Sequence, residues 1–71
     1  MVGEYLIILR RFLNEHNIRS VVDVGCGDWQ FSQLVDWTGI QYDGFDVVAS
    51  VVEENRSKFG AHNIRFHHIS D

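Results

Sequence analysis

Val21-Val22-Asp23-Val24-Gly25-Cys26-Gly27-Asp28 is the stretch that decides the fold. An apolar run breaks into Gly-x-Gly, with an acid two positions before the first glycine. Residues 18–24 are apolar on both faces, as a central parallel strand requires. Glycine tolerates the positive φ of a sharp turn and lets a ligand lie against bare backbone. Residues 25–28 therefore read as a ligand-binding loop at the carboxyl end of a buried strand.

The flanking segments supply the rest of an α/β pattern. Residues 4–16 form the first predicted helix, since Tyr5, Leu6, Leu9, Phe12 and Leu13 fall on one stripe. Asn17 is its stop residue. After the loop, Asp28 is a candidate N-cap for a second helix over residues 30–37, with Phe31, Leu34 and Val35 on one face, closed by Thr38-Gly39. Residues 41–46 read as a second strand, led by Tyr42 and Phe45. Ser50-x-x-Glu53 has the form of a capping box opening a third helix that runs to Phe59 and ends at Gly60. Residues 64–69 read as a third strand. The order is α-β-α-β-α-β, which with short connections implies a three-stranded parallel sheet with right-handed crossovers.

Bulk properties bound the function. Seventy-one residues hold one small domain, and 45% apolar content marks a globular chain. Such a chain buries only about 60% of its unfolded surface and benefits from a partner. The single cysteine excludes an intramolecular disulfide and fits a reducing compartment. A net charge of −4 without a basic run argues against nucleic-acid binding through this segment. No run approaches the length of a membrane span, and residues 1–9 lack the flanks of a signal peptide. The expected location is cytoplasmic.

The loop and the second strand end carry the chemistry. A pyrophosphate cradle uses Gly-x-Gly-x-x-Gly, and its third glycine is replaced here by Gln30. Asp23 and Asp28 would face the phosphates and repel them. A ligand with an ammonium and hydroxyls suits these acids better. Asp46 lies about twenty residues beyond Gly27, where a carboxylate can accept both hydroxyl protons of a ribose.

At this point the sequence resembles the class I S-adenosylmethionine-dependent methyltransferases. Their first motif is an apolar strand, an acid, one further residue and Gly-x-Gly, matched by Val22 through Gly27. Where the family often has a third glycine, this chain has Trp29. The resemblance implies an S-adenosyl-L-methionine site built from Asp23, Gly25, Cys26, Gly27, Asp28 and Trp29. It adds Asp46 on the ribose, Val47 beside the adenine and Asp71 near the adenine amino group. It also implies the N-terminal part of a Rossmann-like methyltransferase fold, a single partial domain over residues 1–71. The catalytic and acceptor-binding strands of the family are not in this stretch, so the expectation is a cofactor-binding fragment inactive alone, its acceptor unspecified. In that fold the first strand is central. Its free edge here is expected to pair with the missing half, a second copy or another subunit. The alternatives are an NAD or other nucleotide-binding half-domain and a non-catalytic interaction module.

The remaining reactive side chains read as structural. Cys26 is a small residue between two glycines, with no base assigned to it. His67 and His68 are adjacent on a strand, point to opposite faces and do not suit one metal ion. His62 adds no ligand set. Glu53, Glu54, Arg56 and Lys58 read as a solvated helix face.

Overall fold

The computed structural model describes the backbone of residues 2–70 and the side chains of residues 7–70. Asp71, and the side chains of Tyr5 and Leu6, lie outside the described residues. The elements are α1 (Val2–Glu15), β1 (Ser20–Val24), a 3-10 turn (Ser32–Leu34), β2 (Gln41–Asp46), α2 (Ala49–Phe59) and β3 (Ile64–His68). The strands form a parallel sheet in the order β1-β2-β3. Val21 pairs with Tyr42 and Tyr42 with Ile64. The chain is thus a small α/β unit with a three-stranded parallel sheet and two helices.

Asn17 closes α1 as expected. It adopts φ 52°, and the Ile18 N–H then donates to the Leu13 carbonyl. Only part of the predicted stripe is buried. Leu13 enters the core and Leu9 packs against it, whereas Phe12 stays exposed with its ring against His16. The Arg10 guanidinium fastens the helix by donating to the Asp36 and Thr38 carbonyls.

The second predicted helix does not form. Between Gly27 and β2 the described structure has only the 3-10 turn of Ser32–Leu34. Core burial overrides the helical periodicity. Trp29 takes φ 64° and sends its indole inward, where it is 3% exposed. Val35 and Trp37 are also buried, and their spacing of two suits the extended backbone seen at Val35. Phe31 and Leu34, assigned to the inner face of that helix, are exposed instead. Trp37 fixes the segment by donating its indole N–H to the Ser32 carbonyl.

The predicted capping box is likewise replaced. α2 starts at Ala49 and no side chain of the N-cap residue Val48 caps it. The Val48 N–H is taken by Asp46 Oδ1 at 3.0 Å. Ser50 already lies inside the helix, and Glu53 pairs with Arg56. Asp46 wins because it sits at the strand end two residues before the free N–H, within reach of a local Asx turn.

The core lies on one face of the sheet. Trp29, Trp37, Tyr42, Phe59 and Phe66 form an aromatic cluster there, with centroids 4.8 to 6.2 Å apart along its closest pairs. Val52 from α2 and Leu13 from α1 join the same cluster, so both helices cover this face. The other face is open. Val22 and Val24 are 67% and 73% exposed, which corrects the expectation that β1 is buried on both sides. On that face the His67 Nε2 and Asp43 Oδ1 lie 2.8 Å apart, and Phe45 stacks on the His67 ring. No helix among the described residues is long and apolar enough to cross a membrane.

Candidate functional site

The carboxyl ends of β1 and β2 bring the predicted loop and its acids together. Beyond β1 the chain turns away at once, with Gly25 at φ 81° and Gly27 at φ 59°. Both are left-handed conformations that glycine adopts without a Cβ penalty. A Cβ built on either would meet nothing within 4 Å, so the loop presents open backbone. Its stem is pinned to β2, because the Gly25 and Cys26 N–H groups both donate to the Phe45 carbonyl.

Asp46 ties this loop to α2. Its Oδ2 accepts the Gly27 N–H at 2.9 Å while its Oδ1 accepts the Val48 N–H. These two backbone bonds, that from Val48 foremost, hold its carboxyl below the usual carboxylate range. Each oxygen keeps a further lone pair for a hydroxyl donor. Val47 follows as an exposed apolar side chain, and its carbonyl lies 3.1 Å from His68 Nε2.

Asp23 turns to the covered face and is half-buried. Its Oδ2 accepts the Tyr42 hydroxyl proton at 2.7 Å. Burial, and then this bond to Asp23, push the Tyr42 hydroxyl far above the ordinary phenol range. Cys26 is flanked by both acids. Its thiol is raised by burial first and by Asp46 and Asp23 next, which suits a packing residue better than a nucleophile.

The other predicted residues divide. Asp28 is exposed and accepts the Gln30 N–H at 3.1 Å in a local turn, without the helix it was expected to cap. Trp29 keeps its backbone in the loop, but its indole belongs to the core and not to the loop surface. A groove of about 360 Å³ beside the loop, lined in part by Asp28, Gln30, Asn55 and Lys58, is separate from the Asp23 and Asp46 carboxylates.

Two supporting residues escaped the sequence reading. Asn55, 2% exposed, donates its Nδ2 to the Gly27 carbonyl at 2.7 Å and so carries the loop on α2. Its signal was an amide one turn after Val51 and Val52, on the apolar side of the helix. Tyr42 was read only as a large apolar residue, and its hydroxyl fixes Asp23. Among the described residues no group of three or more His, Cys, Asp or Glu is placed to hold a metal ion.

No protein-family model, curated protein or solved structure matches the chain.

Proposed function

We propose that this chain is the S-adenosyl-L-methionine-binding segment of a class I methyltransferase. The observation that carries the reading is the Asp46 carboxylate. It is ionised, set at a strand end beside an open glycine loop, and bonded to that loop at Gly27. A carboxylate so placed suits the two hydroxyls of a ribose. Asp23 would take the ammonium of the methionine part, and Val47 would lie against the adenine. When bound, the cofactor supplies a methyl group on a sulfonium, which a longer chain carrying an acceptor site would direct to its substrate. This segment's own part is to bind and orient the donor.

The competing nucleotide reading loses support from the same geometry. A dinucleotide site sets its pyrophosphate on a helix N-terminus. Here the loop leads into a three-residue 3-10 turn, and three acids surround it. Isothermal titration with S-adenosylhomocysteine and with NAD separates the two. We expect saturable binding of the first, lost in Asp46→Ala, and none of the second. Failure to bind S-adenosylhomocysteine, or stronger binding of NAD, would refute the proposal.

A further inference from the structure

We propose that Tyr42 is a positioning residue that makes the site select nucleosides bearing an ammonium. The proposal rests on the cofactor reading and adds to it which part of the ligand the chain tells apart. Asp23 is a half-buried acid whose Oδ2 accepts the Tyr42 hydroxyl proton at 2.7 Å. Among the described residues no group bonds its Oδ1, and that oxygen is open to solvent. One oxygen is thus fixed from inside the fold, and the other is left for a cation.

The bond has one direction. A phenol hydroxyl carries a single proton, and an indole N–H only donates. The Trp29 N–H is buried beside the Tyr42 hydroxyl, which therefore turns its lone pairs to the indole and its proton to Asp23. Tyr42 is 1% exposed, and its ring packs on Trp29, Trp37 and Phe66 with centroids 5.1, 4.8 and 6.0 Å away. The carboxylate is thereby held before a ligand arrives, which lowers the cost of ordering it on binding. Gly44 makes this placement possible. It is the register partner of Asp23 in the sheet, and the Tyr42 ring lies across it. A Cβ there would stand 2.9 Å from Tyr42 Cε1 and 3.0 Å from its hydroxyl oxygen. A glycine inside a strand weakens it, and here close approach of the tyrosine requires one.

The consequence is selectivity. In the proposed site Asp46 serves a ribose that every adenosyl ligand shares, whereas Asp23 meets only a ligand with an α-ammonium. Without the Tyr42 hydroxyl the carboxylate is free to turn and hydrate, and a hydrogen bond to a charged group is among the stronger kind.

The test is calorimetric titration of the parent and Tyr42→Phe with S-adenosylhomocysteine and with methylthioadenosine, which has the same nucleoside without the amino-acid part. We expect the parent to prefer S-adenosylhomocysteine. Tyr42→Phe should bind it about tenfold more weakly and bind methylthioadenosine within about twofold of the parent. Asp23→Asn should remove the same preference, and adding Tyr42→Phe to it should change little more. Equal losses for both ligands in Tyr42→Phe would mark a merely structural role and overturn the proposal, as would no loss at all. A parent that binds both ligands alike would overturn this inference and leave the adenosyl site standing. Binding of neither ligand would refute the cofactor reading, and this inference with it. If Tyr42→Phe fails to fold, carbon NMR spectra of the parent decide the matter. The Tyr42 Cζ and Asp23 Cγ resonances should shift together as S-adenosylhomocysteine is added, and much less with methylthioadenosine. A Tyr42 signal that moves no more with the first ligand than with the second would overturn the proposal.

Discussion

Replacing Trp29 tests whether the loop is built on the core. Its indole is 3% exposed and contacts four rings, with centroids to Trp37 at 6.2 Å, Tyr42 at 5.1 Å, Phe59 at 5.1 Å and Phe66 at 5.2 Å. Truncating a buried tryptophan to alanine costs about 3–5 kcal/mol. A single core in a chain of this size supplies no more than roughly 3–5 kcal/mol in total. Trp29→Ala should therefore leave the chain largely unfolded at room temperature. Trp29→Phe should behave differently. The indole N–H is buried beside the Tyr42 hydroxyl without reaching a partner at hydrogen-bonding geometry. Removing such a donor returns about 1–3 kcal/mol, which offsets much of the lost ring. We expect Trp29→Phe to lie within about 1 kcal/mol of the parent, a shift of no more than roughly 4–8 °C in Tm. Thermal and urea denaturation followed by far-UV circular dichroism and by Trp37 fluorescence measures both. If Trp29→Ala melts cooperatively within about 5 °C of the parent, or if Trp29→Phe is as damaging as Trp29→Ala, the reasoning fails.

Two further outcomes follow from the site. Asp46 is more acidic when folded, so its bonds contribute fully above the unfolded value of about 4 and fade as pH falls through the lower folded value. Urea midpoints measured from about pH 5 to about pH 2 should show the advantage of the parent over Asp46→Asn shrinking across that window; a constant difference would contradict the two backbone bonds. Gly44→Ala would set a Cβ 2.9 Å from the Tyr42 ring and 3.2 Å from Cys26 Cβ, and this overpacking should cost about 1–3 kcal/mol by chemical denaturation.

Much of the architecture is legible along the chain because short-range chemistry governs it. The valine run and the Tyr42–Asp46 segment give their strands, Asn17 ends α1 with a left-handed residue, and Gly25 and Gly27 take the positive φ that only a turn requires. The union of the loop with Asp46 is legible too, since a parallel crossover brings consecutive strand ends together. The second helix and the capping box misled because local signals met competitors they do not contain. Trp29, Val35 and Trp37 all enter the core, with left-handed backbone at Trp29 and extended backbone at Val35, which a helix over the same residues does not contain. Asp46 reaches the Val48 N–H before Ser50 is in position to cap anything.

The sequence by itself determined the parallel α/β order, the glycine turn and the acids at the two strand ends, because each depends on residue type at close spacing. Only the tertiary structure decided that Trp29 belongs to the core, that Tyr42 and Asn55 carry Asp23 and the loop, and that one sheet face with Val22 and Val24 stays bare. These are outcomes of which side the helices pack on. That choice is made by burial summed over distant residues, and no local pattern records it.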